Sequence, residues 1–226
     1  MGVVLSVNLA VPRANPAKES VGTTGIDKQP TSQAVSIRAP GPKGTGPDGG
    51  LGSGLVGDQI FDRQHHGGDD QAVYAYARED LDYWEALLDR RLPGGVFGEN
   101  LTTHDVDVTG ALIGERWRVG DQVVLEVALP RIPCATFAYW LAERGWVKRF
   151  TSAARPGAYL RVITPGPVSA DDAITIDNRP DHDVTIGVVF RALTDEPKLL
   201  PRLLDADALP LPLRERASTR IRKESH

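Results

Sequence analysis

Cys134 is the only cysteine among the 226 residues, and it follows Pro130-Arg131-Ile132-Pro133. Proline fixes φ, lacks an amide donor and holds the preceding residue extended, so strand pairing ends here and the thiol rides on a stiff mount. The guanidinium three residues earlier favours a thiolate, and a soft thiolate on a rigid support suits a transition metal. The plainer alternative is a small buried hydrophobe, since free cysteine is among the most buried residue types. A second segment is His65-His66-Gly67-Gly68-Asp69-Asp70. Its paired glycines permit positive φ and let the backbone approach a ligand, with amides free to form an anion nest. Adjacent histidines cannot share one strand face, so they do not chelate one metal together, and a tight loop with a capping histidine is the alternative. In Gly98-Glu99-Asn100-Leu101-Thr102-Thr103 the carboxamide can meet both edges of a heterocycle, or the stretch is a solvated strand edge. Lys28, just past Gly22-Thr23-Thr24-Gly25-Ile26-Asp27, could meet a phosphate as a point charge or simply be solvated.

The elements that must carry these residues are mostly strands. Val3 to Leu9 opens the chain as a strand, and Ala34 to Arg38 alternates as a short one. In Gln122 to Leu129 the side chains of Val123, Leu125, Val127 and Leu129 share one face. Arg116 to Val119, Ala158 to Thr164 and Ile174 to Asp177 read likewise. Asp58 sits in Val56-Gly57-Asp58-Gln59-Ile60, where turn chemistry accounts for an aspartate. Two helices are expected. Arg78 to Asp89 sets Leu81, Trp84, Leu87 and Leu88 on one side, and Thr136 to Arg144 is shorter. Pro40 to Gly54, almost entirely Gly, Pro and polar residues, reads as a mobile surface insertion. From Leu193 the pattern turns to leucines punctuated by Pro201, Pro210 and Pro212, ending in the basic stretch Arg214 to Lys223. The expected organisation is therefore a β-barrel domain over 1–182, with the 40–54 insertion, and a short helical appendage over 183–226. The fold class is mainly β (α+β), a barrel with a few peripheral helices.

Composition removes several function classes. A net charge of −4 lacks the basic excess of a dedicated nucleic-acid binder. No apolar run approaches the ~20 residues of a membrane span, and the start lacks a signal peptide's pattern, so a cytoplasmic protein is expected. One cysteine makes neither an internal disulfide nor a zinc cage of thiolates, which suits a reducing compartment. Walker loop, dinucleotide fingerprint, His-Glu-x-x-His and nucleophile elbow are all missing from the sequence.

Taken in order, the segments above resemble the MOSC domain family, and within it bacterial proteins that act on N-hydroxylated bases such as 6-hydroxylaminopurine. The resemblance is carried by Gly22 to Lys28, Gly54-Leu55-Val56-Gly57-Asp58, His66-Gly67-Gly68-Asp69, Tyr83-Trp84, Phe97 to Thr103, Pro130 to Cys134, and Tyr159 to Ile163 with Pro165-Gly166-Pro167-Val168. It implies a β-barrel that binds molybdenum cofactor, a molybdopterin with a terminal phosphate. It implies Cys134 as the metal ligand and Lys28, Asn100, Thr102 and Arg131 as pterin or phosphate contacts. Asp58, His66 and Gly67, with Gly68, are then the pocket floor and loop, and Asp69 or His66 the proton source for a molybdenum-dependent oxidoreductase. The implied partners are a small N-hydroxylated substrate and a separate electron donor, a flavin or iron–sulfur reductase. No nucleic-acid polymer or membrane is implied, and a homodimer stays open. A non-catalytic carrier of sulfur or molybdopterin on Cys134 is the other reading.

Overall fold

The computed structural model describes residues 1–44 and 52–224. Its strands are β1 (Gly2–Ala10), β2 (Arg13–Ala14), β3 (Thr23–Thr24), β4 (Lys28–Thr31), β5 (Val35–Ile37), β6 (Val73–Ala77), β7 (Leu101–His104), β8 (Arg116–Val119), β9 (Val123–Pro130), β10 (Ala158–Thr164), β11 (Gly166–Val168) and β12 (Ala173–Asn178). The α-helices are α1 (Arg78–Leu88), α2 (Ala135–Leu141), α3 (Trp146–Ala153), α4 (Ile186–Leu193) and α5 (Leu211–Glu224), and Asp69–Gln71 and Pro197–Asp205 form 3₁₀ turns.

Seven strands close a barrel in the order β12-β8-β9-β10-β6-β7-β1. Closure is made where Gly2 stands opposite Ile174 and Val3 opposite Ala173. The second half of β1 uses that same edge for β4, with Ala10 opposite Lys28. All barrel pairs are antiparallel except β6 and β7, where Ala75 faces Leu101. A parallel pair needs a crossover, and α1 lies within it. Closure removes the exposed edges that an open sheet of this size would present.

β9 shows how alternation builds the core and where it stops. Val123, Leu125 and Val127 are fully buried, as period-two patterning requires. Leu129, expected on the same face, is only partly buried. The register explains it: Leu160 pairs with Val127 and Tyr159 with Leu129, so Ala128 is an extra residue, a bulge. The bulge puts Ala128 and Pro130 inward and re-aims the strand's exit, which leads to Arg131 and Cys134.

A second, aromatic core lies against α1, α2 and α3. Trp84, Phe97, Phe137, Trp146 and Phe150 are all buried there. Phe97 sits at its centre, with ring centroids 5.1 Å from Phe137 and 5.5 Å from Trp146 in edge-to-face geometry. In α1, Leu81 and Trp84 are buried while Leu87 is exposed, so the buried stripe is narrower than expected. The expected helix from Thr136 to Arg144 is α2, stopped at Ala142 by a left-handed residue, and α3 follows unannounced by the sequence reading. After β12, α4 and the Pro197–Asp205 turn add Val189, Leu200 and Leu203 to the barrel's own hydrophobic cluster.

Of the glycine-rich stretch 40–54, residues 45–51 lie outside the described residues. Its last part departs from the expected surface insertion, because Ser53 and Gly54 are buried. Gly54 donates to the Ala72 carbonyl at 2.7 Å and accepts from the Arg38 amide at 2.8 Å. A Cβ on Gly54 would stand 2.8 Å from the Ala72 oxygen, so the missing side chain lets this backbone enter the core. Among the described residues, no helix is long and apolar enough to cross a membrane.

Candidate functional site

A cleft enclosing about 720 Å³, open solvent at its mouth included, lies where β4, β6, β9 and β10 end. Seven of the residues singled out from sequence line it: Lys28, Asp58, His66, Gly67, Asn100, Arg131 and Cys134. Gly68, Asp69 and Thr102 do not. Asp69 is exposed and its carboxylate accepts from the Gly41 amide at 2.9 Å. Gly68 packs on the Lys43 backbone with φ +83°. Thr102 is buried behind the floor, where its hydroxyl accepts from Asn8 Nδ2 at 3.1 Å and donates to Glu99 at 3.0 Å.

The floor is built around Asp58. Its buried carboxylate accepts from Lys28 Nζ at 2.6 and 2.7 Å, Ser53 Oγ at 2.7 Å, Asn100 Nδ2 at 2.9 Å and the Ala10 amide at 2.9 Å. Burial works to raise its pKa, but Lys28 and these donors outweigh burial and hold the carboxyl below the usual range. Asp58 closes the turn at Val56-Gly57, its amide donating to the Leu55 carbonyl at 3.2 Å, and its side chain is also a hub joining β1, β4 and the segments at 53 and 100. Lys28 is 7% exposed, so its ammonium is a buried, paired charge rather than a solvated one. Asn100 is equally committed: Oδ1 accepts from the Tyr74 amide at 3.1 Å, and Nδ2 also reaches the Asn8 carbonyl at 3.4 Å.

The loop before Asn100 is held by Glu99. Its carboxylate accepts from the amides of Gly95 at 2.6 Å and Phe97 at 3.0 Å. Complete burial raises the Glu99 pKa despite those bonds. The loop so folded turns the Phe97 carbonyl toward Arg131, whose Nη1 donates to it.

The wall around Arg131 is of another kind. Arg131 is 6% exposed, and its guanidinium lies 4.1 Å from the Phe137 ring centroid and 5.2 Å from that of Tyr74. Tyr74, Tyr159 and Cys134 are the acidic groups that bear on it, and among the described residues no carboxylate pairs with it. Its Nε has no hydrogen-bond partner among the described residues. Cys134, half-buried, is the extended residue immediately before α2, and its carbonyl accepts from the Ala138 amide at 3.0 Å. His66 is pushed down to about 4, first by burial and then by the Arg131 cation, so its imidazole is neutral at physiological pH. The Tyr159 ring packs 5.0 Å from Tyr74, and burial raises its phenol above the ordinary range.

Sequence reasoning did not single out Ser53, Gln71, Tyr74 or Tyr159 as site residues. Gln71 and Tyr159 line the cleft, and Gln71 Oε1 is, after Arg131 Nε, the second buried atom of the lining residues without a partner among the described residues. A glutamine after a Gly-Gly turn carries no signal of its own, whereas Tyr159 lay inside a stretch already quoted as a strand. Among the described residues the arrangement offers one soft ligand, one buried cation with no carboxylate partner, a neutral imidazole and an unmet amide oxygen. That set suits an anionic, heterocyclic ligand with a soft metal. Glu79, His104 and Asp105 also bring ligating atoms within 4.8 Å of one another, but they are exposed and lie outside the cleft lining.

Comparison with known proteins agrees with the architecture. The profile of the MOSC domain matches residues 62–175. The uncharacterized protein YflK of Bacillus subtilis is 30% identical over 183 residues, covering 81% of this chain and 76% of YflK. A protein named reductase from Gibberella moniliformis is 29% identical over 166 residues, 70% of this chain but only 29% of that protein. The crystal structure of YiiM from Geobacillus stearothermophilus is similar with a TM-score of 0.75 and 22% identity, covering 97% of this chain and 99% of that one.

Proposed function

Because the chain belongs to the MOSC domain family, we propose that it holds a molybdenum cofactor in the cleft and reduces N-hydroxylated bases or related N-oxygenated compounds. The observation that carries this reading is the placement of the chain's one thiol, Cys134, on the wall of a cleft whose buried Arg131 has no carboxylate partner among the described residues. The cleft fits such a group: of the five buried side-chain polar atoms without a partner among the described residues, two, Arg131 Nε and Gln71 Oε1, belong to residues of its lining, where a ligand can meet them. The likeness to a protein named reductase supports the redox class.

Bound molybdenum supplies two-electron redox chemistry, and the protein supplies ligation, orientation and exclusion of side reactions. Cys134 would hold the metal through its thiolate, and Arg131 would meet the anionic charge of the group. Lys28, Asp58 and Asn100 form a stiff floor, with Thr102 and Glu99 behind it. Gly67, with φ +84°, brings its backbone to the cleft wall, where a Cβ would stand 2.8 Å from the Gly52 carbonyl. His66, neutral, offers one N–H and one lone pair, and Asp69 lies outside the lining. The net reaction takes up two electrons and two protons and releases water. A separate flavin or iron–sulfur protein is the proposed donor, so reduced viologen should drive turnover while NADH alone should not.

Protein made in a host competent for molybdenum cofactor should carry near-stoichiometric molybdenum and release a fluorescent oxidised pterin. Folded protein from that host with neither would sink the reading. A persulfide on Cys134 in place of metal would assign the carrier role instead.

A further inference from the structure

Two carboxamides of the cleft differ in what they have left to offer. Asn100 is spent on Tyr74, Asp58 and Asn8. Gln71 has an oxygen that is shut off from solvent and accepts nothing from the described residues. Its backbone is fixed, since it ends the 3₁₀ turn Asp69–Gln71 and its amide donates to the Gly68 carbonyl at 2.9 Å. Gly67 and Gly68, at φ +84° and +83°, set that turn, and a Cβ on Gly68 would collide with Lys43 at 2.6 Å. The fold thus holds the start of the Gln71 side chain firmly on the cleft wall and leaves Oε1 without a partner among the described residues.

We propose that Gln71 is a binding residue of the cleft, whose carboxamide pairs with the edge of an amino-substituted nitrogen heterocycle, Oε1 accepting the heterocycle's N–H. This rests on the cofactor-and-base reading given above. Oε1 is shut off from solvent in the ligand-free cleft, and the soft terminal torsion of a glutamine lets the carboxamide turn to meet a ligand. A carboxamide offers a donor beside its acceptor, the pattern that matches an amino group next to a ring nitrogen. The cleft suits a flat ring, because Tyr74, Tyr159, Phe61 and Ile60 are among the residues that line it. Both the pterin of the cofactor and a purine-type base present such an edge, and an experiment can separate them.

The variants are Gln71→Leu and, unbranched like glutamine, Gln71→Met. Three quantities are read: the melting temperature of cofactor-free chain, the pterin retained per chain from a competent host, and the affinity for 6-hydroxylaminopurine by calorimetry. Removing an acceptor that has no protein partner should leave the melting temperature unchanged or raised. Pterin retention or base affinity should fall by about tenfold to a hundredfold, and whichever falls names the source. If the wild type binds both and neither variant differs from it, Gln71 is overturned while the cofactor reading stands. If binding falls together with the melting temperature in both variants, Gln71 is structural and the proposal is overturned. If the wild type binds neither pterin nor base, both readings fail.

Discussion

The floor of the cleft and its wall are both polar and both buried, yet they are built on opposite principles. At the floor, Asp58 collects donors from Lys28, Ser53, Asn100 and Ala10, and each charge has its partner. At the wall, Arg131 has an empty Nε and no carboxylate partner among the described residues, Gln71 has an empty Oε1, and His66 is held neutral. Behind the floor Asn8 Oδ1 also lacks a partner among the described residues, so the contrast lies in the charges, paired at the floor and not at the wall. An unpaired buried charge is costly to keep unless something else completes it. The floor therefore reads as scaffold and the wall as the ligand-facing side. That division separates residues which the sequence placed in a single class of cofactor contacts.

The largest effect that would test this division falls on the wall. Cys134→Ser replaces a soft thiolate with a hard hydroxyl and should remove nearly all molybdenum, and with it activity, while the melting temperature of the cofactor-free chain changes little. A thiol reagent should label Cys134 in cofactor-free chain and be blocked in the loaded one. Equal labelling, with an active serine variant, would take Cys134 out of the site.

Next comes the floor, where the expected loss is in folding. Lys28→Ala leaves a buried carboxylate unpaired and should cost about 3–5 kcal/mol in a denaturation series. The double variant Lys28→Met with Asp58→Asn should recover much of that loss, since it removes both charges at once. A Lys28→Ala chain that melts like wild type but loses pterin would erase the distinction between floor and wall.

Acid sharpens the comparison within the scaffold itself. Asp58 is held below its unfolded pKa, so its stabilisation is present above about pH 4 and is lost as pH falls through the lower folded value. Glu99 is raised, so its contribution runs the other way and declines as pH climbs from its unfolded value toward the folded one. Asp58→Asn should flatten the acid limb of stability against pH, and Glu99→Gln should flatten the decline above it. Identical pH profiles for wild type and both variants would remove these carboxyls from the linkage.

The smallest effect is a titration. His66 should titrate near pH 4 by nuclear magnetic resonance, and Arg131→Met should move it upward by removing the second cause of its depression. An unmoved His66 in that variant would mean burial alone holds it neutral.

Much of the architecture was legible in advance because period-two alternation with proline and glycine punctuation is local. The strand over Gln122 to Leu129, the helix from Arg78 and the stop at Pro130 all follow from neighbours in sequence. Leu129 departs because the bulge at Ala128 depends on how β10 pairs, which β9 does not encode alone. Lys28 and Asn100 looked available for ligand because Asp58 lies 30 and 42 positions away in the chain, and only barrel closure brings their side chains to it.

Sequence alone therefore determined which chemistries this protein has at hand: a single thiolate mounted after a proline-bracketed arginine, glycines that open two loops, and strands enough to close a sheet. These are matters of residue type and short spacing. Tertiary structure decided which polar groups are spent and which remain, since a hydrogen bond is satisfied by whatever arrives from elsewhere in the fold. It consumed Asp58, Lys28 and Asn100 in one network, placed Asp69 outside the cleft lining, and left Arg131 Nε and Gln71 Oε1 without partners among the described residues in the cleft that Cys134 also lines.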